Sequence, residues 1–224
     1  MLKSNENRII QIISYNELII EAIEKEIPNI NYDITNMHQK LMIALFLTII
    51  EIAKSINILL KNLAHISIPM LIRNMLEAYV DLNNLIKDQD YKFVMYSSYL
   101  KEQKRFLENN KIYPEMLKDV KDLLKNINIT NDEIKFISRF KEAGLQKIYI
   151  SLYNKLCRET HNNINCLVER YFVFEEGKVT LKYWSECRID KICFLSKPAT
   201  KFLIHLFLNY LNFTILNNQL LIPK

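Results

Sequence analysis

His161, Arg73, Glu77 and Arg158 are the side chains in this sequence whose types and spacing suit acid–base chemistry. A histidine can take up and release protons near neutral pH, which is the requirement for a general acid or base. An arginine can stabilise negative charge that develops in a transition state, and a glutamate one helical turn away can orient that arginine. We therefore predict His161 as the acid/base, Arg73 or Arg158 as the charge-stabilising group, and Glu77 as its partner.

The same residues also fit a simpler interpretation. An Arg/Glu pair at i,i+4 is most often a surface ion pair that contributes roughly 0.2–0.5 kcal/mol. A lone histidine on a mixed helix face is most often a structural hydrogen-bonding group. The competing hypothesis is a non-enzymatic helical interaction module, in which a buried polar network of Arg73, Glu77 and His161 fixes the register of the helices.

Two helices must position these side chains. Ser67, as N-cap, and Pro69, in the first turn, predict a helix that runs to Leu82. Its apolar positions follow helical spacing and predict a core-facing stripe, and Arg73 and Glu77 lie off it. The stripe consists of Ile68, Leu71, Ile72, Met75, Leu76, Tyr79, Leu82 and Ile86.

The second helix is predicted from Leu145 to about Phe172. It carries one apolar stripe through Ile148, Tyr149, Leu152 and Leu156, and a second through Tyr153, Cys157, His161, Ile164 and Val168. Both faces are therefore expected to be buried or partly buried, and His161 with them.

The rest of the chain predicts an all-α fold. With 2 Gly and 5 Pro in 224 residues, the sequence lacks the turn residues that strand-rich folds need. No linker interrupts it, so we expect a single domain over residues 1–224 in the form of a multi-helix bundle. Further helices are predicted at Asn7–Glu26, Asp33–Ala64, Asp90–Asn110, from Pro114, within Asn128–Phe140 after a Thr130–Glu133 capping box, and at Phe202–Leu216. The period changes at Tyr171–Trp184, which predicts a small β-hairpin or extended insertion.

Composition limits the functional classes. Gly144 and Gly177 are the two glycines, so neither a Walker A nor a G-x-G-x-x-G phosphate loop can form. The net charge of +5 permits an acidic partner such as RNA, but the charge is spread along the chain. The four cysteines form no C-x-x-C pair, and we predict neither a metal nor another cofactor. The absence of a signal peptide and of a long uninterrupted apolar run predicts a cytoplasmic protein without a membrane span.

Aromatic and basic residues are interleaved between Asp90 and Asn110. Such a helix can stack bases and pair with phosphates. More often it buries its aromatic face and solvates its charges, and we expect the latter here.

The segment Arg73-Asn74-Met75-Leu76-Glu77, followed by Tyr153-x-x-Leu156-Cys157-x-x-x-His161, resembles an uncharacterised family of bacterial all-helical proteins. In that family an R-x-x-x-E helix precedes a Y-x-x-L-S-x-x-x-H helix, and Cys157 stands at the serine position. More distantly, the layout is similar to the HEPN superfamily, whose signature is an Arg and a His separated by four to six residues. Here Glu159 and Thr160 alone separate Arg158 from His161.

HEPN proteins are helical bundles of bacterial toxin and anti-phage systems, and several are metal-independent ribonucleases. The resemblance implies that His161 is the acid/base for attack of a ribose 2′-hydroxyl on the adjacent phosphate. Arg73 or Arg158 would then stabilise the phosphorane. The implied partners are RNA and an antitoxin or other defence-system protein. The strongly apolar helix Phe202–Leu216 further predicts a homodimer.

Overall fold

The computed structural model describes residues 2–30, 32–62, 64, 66–110, 113–127, 136–161, 163–181, 197, 200, 201 and 204. These residues are mostly helical, as predicted. The helices are α1 (Leu2–Glu26), α2 (Met37–Lys61), α3 (Ile68–Lys87), α4 (Tyr91–Asn110), α5 (Pro114–Asn126), α6 (Phe136–Glu142), α7 (Gln146–Ile148), α8 (Asn154–Thr160) and α9 (Ile164–Tyr171). A short 3₁₀ turn, Ile27–Asn29, follows α1 and contains Pro28. The strands are β1 (Phe172–Glu175) and β2 (Lys178–Leu181).

Helix α3 is the centre of the bundle and packs against α2, α6 and α8. Most of its predicted stripe is buried, including Ile72, Met75 and Leu76, whereas Ile86 near its end is 47% exposed. Ser67 occupies the N-cap position, but its side chain makes no capping hydrogen bond. The helix continues to Lys87, one residue past Ile86, the last position of the predicted stripe.

Helix α2 begins at Met37, later than predicted. The side chain of Asn36 accepts hydrogen bonds from the backbone N–H groups of His38 and Gln39, which starts the helix there. Asp33 instead closes a turn, in which its carboxylate accepts from the N–H and hydroxyl of Thr35.

Among the described helices, α2 meets the length and composition of a bilayer-spanning helix, with a mean hydropathy of 2.0 over its most apolar 18-residue window. The core helix of a soluble bundle passes the same test. In this fold α2 packs against α1 and α3, and its buried Asn57 accepts a hydrogen bond from Asn16 of α1 at 2.9 Å. These contacts are those of a helix in the bundle core.

The single helix predicted over Leu145–Phe172 is wrong, because the chain breaks it at His161. Helix α7 continues through one π-helical turn, Tyr149–Tyr153, into α8, which ends at Thr160. His161 is extended, with φ −91° and ψ 137°. Asn163 then caps a new helix, α9, by accepting from the N–H of Asn165. This local capping gives the backbone an alternative to one continuous helix.

Gly144 ends α6 with a left-handed φ of 77°. The N–H of Leu145 donates to the Phe140 carbonyl at 2.7 Å, and the N–H of Gly144 donates to the Lys141 carbonyl at 3.0 Å. These two bonds define a Schellman motif, which turns the chain from α6 into α7.

The predicted hairpin is present. β1 pairs antiparallel with β2 through a turn in which Glu176 and Gly177 both have positive φ, at 45° and 78°. That combination is typical of a type I′ turn. The predicted capping box Thr130–Glu133 and all of the predicted helix Phe202–Leu216 except Ile204 lie outside the described residues.

The expectation that α4 buries its aromatic face is wrong for most of the helix. Tyr91 is buried, but Phe93, Tyr99 and Phe106 are 41%, 54% and 59% exposed. Apolar packing of this helix therefore depends on Leu100 and Leu107, which are both buried.

Candidate functional site

Helices α3 and α8 bring Arg73, Glu77 and His161 together. Arg73 Nε donates to Glu77 Oε1 at 2.9 Å, along one face of α3. The Nη1 atom of the same guanidinium lies 3.4 Å from His161 Nε2, across the interface with the end of α8. It also lies 3.4 Å from the hydroxyl of Thr160. Side chains 88 positions apart in the sequence thus meet at one point.

Glu77 joins α3 to the π-helical turn that precedes α8. Its Oε1 atom accepts from the hydroxyl of Tyr153 at 2.7 Å as well as from Arg73. The Arg73 guanidinium lies over the Tyr153 ring, 5.7 Å from its centroid. The Arg73 and Glu77 side chains are 26% and 28% exposed, so this ion pair is neither buried nor freely solvated.

The charge states follow from these contacts. Partial burial acts to lower the pKa of Arg73, but the neighbouring Tyr153 hydroxyl and Glu77 outweigh it and the pKa is raised. Burial, followed by the hydrogen bond to Glu77, raises the pKa of Tyr153 far above its ordinary value. Arg73 is therefore a cation and Tyr153 a neutral donor at physiological pH.

His161 is exposed, contrary to the expectation of burial. The reason is the early end of α8, which places this residue at the helix C-cap. Its backbone N–H donates to the carbonyl of Cys157 at 3.0 Å, and Thr160 Oγ1 donates to the same carbonyl. Because a guanidinium can only donate, a hydrogen bond in this contact has Arg73 Nη1 as its donor and His161 Nε2 as its acceptor.

The structure does not bring Arg158 to this cluster. Arg158 is exposed on α8, and no hydrogen bond joins it to Arg73, Glu77 or His161. Arg73 is thus the arginine that can act with His161.

Cys157 is partly buried and carries a free thiol.

Tyr153 and Thr160 complete the cluster, and sequence reasoning assigned no site role to either. Tyr153 was expected in an apolar stripe, and its ring is indeed buried at 6% exposure. The π-helical turn ends at this residue, and its hydroxyl meets Glu77. A tyrosine in place of a phenylalanine on an otherwise apolar stripe was the available signal, because a buried hydroxyl needs a partner.

A second polar cluster, made by Asp81, Arg139, Tyr91 and Asn84, lies one turn further along α3. Arg139 Nε donates to Asp81 Oδ1 at 3.0 Å and its Nη2 atom donates to Oδ2, so the ion pair is bidentate. Tyr91 OH donates to Asp81 Oδ1 at 2.7 Å, and Asn84 Nδ2 donates to the Arg139 carbonyl at 3.0 Å. Burial, then the charge on Asp81, raises the pKa of Tyr91 to about 12. This cluster fastens α6 and the start of α4 to α3.

The fold and the site define a mostly helical protein with a partly exposed Arg–Glu–Tyr–His cluster between two core helices. In the part of the chain that the structure describes, no group of three His, Cys, Asp or Glu side chains is placed to hold a metal ion.

Residues 39–179 match the model of a family of unknown function, DUF5677, and the chain belongs to this family. The matched range contains all of α3 to α9, and therefore every residue of the cluster. The expected kinship with an uncharacterised family is confirmed at this level. No curated protein and no solved structure matches the chain.

Proposed function

We propose that this protein is a HEPN-like ribonuclease that cleaves RNA by metal-independent acid/base chemistry, as part of a cytoplasmic toxin or anti-phage defence system. The observation that carries the proposal is the contact between Arg73 and the exposed His161. It unites a permanent cation and a proton acceptor at a point that a polymer can reach.

The two ends of the Arg73 guanidinium differ in a way that suits phosphate binding. Its Nε end is held by the Glu77 carboxylate at 2.9 Å. Its Nη1 end faces the Thr160 hydroxyl and His161 Nε2, each at 3.4 Å, a distance beyond that of a strong hydrogen bond. A phosphate oxygen is a better acceptor than either, because charge-assisted bonds are shorter and stronger.

The proposed step follows from this arrangement. A phosphate oxygen replaces His161 Nε2 as the acceptor of the hydrogen bond from Arg73 Nη1. Nε2 is then free to accept the proton of the adjacent ribose 2′-hydroxyl. The 2′-oxygen bonds to phosphorus, the bond from phosphorus to the 5′-oxygen breaks, and the leaving oxygen takes a proton from water. The products are a 2′,3′-cyclic phosphate and a 5′-hydroxyl, and the imidazolium returns its proton to solvent. Arg73 stabilises the extra negative charge of the phosphorane.

The contact between Arg73 and His161 also compensates for the absence of the HEPN spacing between Arg158 and His161. In that signature the arginine and histidine share one helix, whereas here Arg73 reaches His161 from the neighbouring helix. The arginine required by the chemistry is therefore available from α3, and Arg158 is not needed. RNA and an antitoxin or other defence protein are the partners that the proposal implies.

The alternative is a non-enzymatic interaction module, and the bond from Tyr153 to Glu77 at 2.7 Å favours it. This bond links α3 to the π-helical turn, which is what a structural network would do. The two functions differ in what they require of His161. Its exposure means that a structural role would give it little to contribute to stability.

The test is an RNA-cleavage assay in EDTA, paired with a thermal melt, on the wild type, His161→Ala and Arg73→Ala. We expect wild-type cleavage and at least a 100-fold loss in both variants, a size typical for removing acid/base or electrostatic stabilisation (roughly 10²–10⁴-fold). The free energy of unfolding of His161→Ala should differ from that of the wild type by less than about 0.5 kcal/mol, as for other exposed positions.

Arg8→Ala is the matched control, because Arg8 is an exposed arginine on α1, a helix that carries no residue of the cluster. It should retain wild-type cleavage. A wild type that cleaves no RNA, together with a His161→Ala variant destabilised by roughly 1–3 kcal/mol, would refute the ribonuclease and support the interaction module.

A further inference from the structure

The carboxylates of Glu77 and Asp81 lie one turn apart on α3, and each binds an arginine and a tyrosine. Glu77 accepts from Arg73 Nε and Tyr153 OH, at 2.9 and 2.7 Å. Asp81 accepts from Arg139 Nε and from the hydroxyl of Tyr91, at 3.0 and 2.7 Å. The second of these two clusters lies deeper, since the Asp81 side chain is 11% exposed against 28% for Glu77.

A column of stacked groups connects the two clusters. The Arg139 guanidinium lies over the Phe136 ring, 4.6 Å from its centroid. Phe136 stacks on Tyr153 with centroids 4.9 Å apart and an interplanar angle of 28°. The other side of the column ends at Arg73, 5.7 Å from the Tyr153 centroid. Cation–π and ring-stacking contacts each favour one relative placement of their groups.

We propose that Asp81, Arg139 and Phe136 are positioning residues for the candidate site, and that they hold Arg73 and Glu77 in place through the ring of Tyr153. The inference rests on the proposed function for its catalytic meaning, but the mechanical link can be tested without it. Arg73 and Glu77 are long side chains at a partly exposed place, so fixing them costs conformational entropy. The ion pair between buried Asp81 and partly buried Arg139 anchors one end of the column, and this anchor restricts Tyr153 and the groups bound to it.

Phe136→Leu removes the stacked ring and keeps both ion pairs. The measurement is NMR on protein with labelled arginine. Two observables are followed: the Nε–H signal of Arg73, assigned by its loss in Arg73→Lys, and the ring-current shift of the Arg73 side-chain protons. We expect faster solvent exchange of Nε–H and loss of the ring-current shift. RNA cleavage should fall roughly 10- to 100-fold, as for small displacements of positioning groups.

Phe136→Tyr should leave both Arg73 signals as in the wild type, since it keeps an aromatic ring at the same place. Phe106→Leu is the matched control, because Phe106 is 59% exposed on α4, and it should leave the Arg73 signals unchanged. Arg139→Lys is the second variant should Phe136→Leu fail to fold. It keeps the charge but loses the flat, bidentate guanidinium, so the Arg73 signals should change in the same direction.

Unchanged Arg73 signals in the folded variant would overturn the inference, even if its melting temperature fell. Changed Arg73 signals in a protein that cleaves no RNA would uphold the positioning link and reject the ribonuclease. The two proposals can therefore fail separately.

Discussion

Two carboxylates on α3, those of Glu77 and Asp81, each accept hydrogen bonds from an arginine and from a tyrosine hydroxyl. Such sites stay neutral overall when the carboxylate is ionised, the arginine charged and the tyrosine protonated. The raised pKa of Tyr91 belongs to this arrangement, since burial and then the Asp81 charge both disfavour a phenolate. Stability should therefore depend on pH in the alkaline range.

The first prediction concerns Tyr91. The pKa of this residue is raised from 10.0 to about 12, so the unfolded chain loses the proton at a lower pH than the folded protein. Its contribution to stability is fully present below about pH 10 and is lost, by up to about 2–3 kcal/mol, as pH rises towards 12. Tyr91→Phe should cost about 1–2 kcal/mol at pH 8 through the lost bond to Asp81. The difference in free energy of unfolding between Tyr91→Phe and the wild type should be smaller at pH 11 than at pH 8.

Urea unfolding at pH 8 and pH 11 measures both gaps. Tyr99→Phe is the control for removal of a tyrosine hydroxyl, since Tyr99 lies on the same helix and is 54% exposed. A Tyr91→Phe gap that stays constant between these two pH values would contradict the assignment.

The second prediction concerns Glu77, whose charge both holds and neutralises Arg73. Glu77→Gln leaves the Arg73 cation without its counter-charge, which should strengthen RNA binding. The same change frees the guanidinium and should lower the rate of cleavage, so KM falls or stays constant while kcat falls. Steady-state kinetics on one RNA measures both constants. A raised KM at unchanged kcat would contradict the role given to Glu77.

At the scale of elements, α3 and the hairpin could be predicted because their signals are local. Helical spacing predicted the buried face of α3, and the change of period at Tyr171–Trp184 predicted the hairpin. The end of α8 at Thr160 could not be predicted in this way. The apolar pattern continues through Ile164 and Val168, and the break depends on the Asn163 cap and the extended backbone of His161.

The candidate site was predictable for similar reasons, and only in part. Arg73 and Glu77 are one turn apart on one helix, so their pairing follows from the spacing. Their contact with His161 depends on how α8 packs against α3, which a single sequence does not encode in any local pattern. Arg139 lies on the short helix α6, where no periodicity indicated that it would meet Asp81.

The third prediction concerns the turn between α6 and α7. Gly144 has a φ of 77°, and a Cβ there would meet Lys87 Nζ at an ordinary distance of 3.6 Å. The cost of Gly144→Ala is therefore mainly backbone strain, about 1–2 kcal/mol, or roughly 3–6 °C in melting temperature. Because this turn directs α6 towards α7 and α8, the strain should appear in the global unfolding transition.

Gly177→Ala provides the comparison, since Gly177 also has a positive φ, of 78°, with open space around it. Both strands flanking it are exposed at Val179, Leu181 and Phe174, so its strain should remain local to the hairpin. Equal falls in melting temperature for the two variants would show that the Gly144 turn has no special place in the fold.

At the scale of the whole molecule, a central helix carries both polar clusters and packs against α2 on one side and α6 and α8 on others. The fourth prediction is that this protein forms a homodimer through the apolar segment Phe202–Leu216. Light scattering at tens of micromolar should return twice the 26.7 kDa chain mass. Phe207→Lys should shift it to the monomer, and Lys118→Glu, a charge change on the exposed face of α5, should not. A monomeric wild type would contradict the prediction.

In the proposed reaction, His161 and Arg73 promote attack of a ribose 2′-hydroxyl on the neighbouring phosphate. The most direct test maps the cleavage site in an RNA, in EDTA, and repeats the reaction with one 2′-deoxy nucleotide at that site. We expect a 2′,3′-cyclic phosphate product from the all-ribose strand and no cleavage at the deoxy position. Cleavage at the deoxy position, or cleavage of the all-ribose strand by His161→Ala at the wild-type rate, would contradict it.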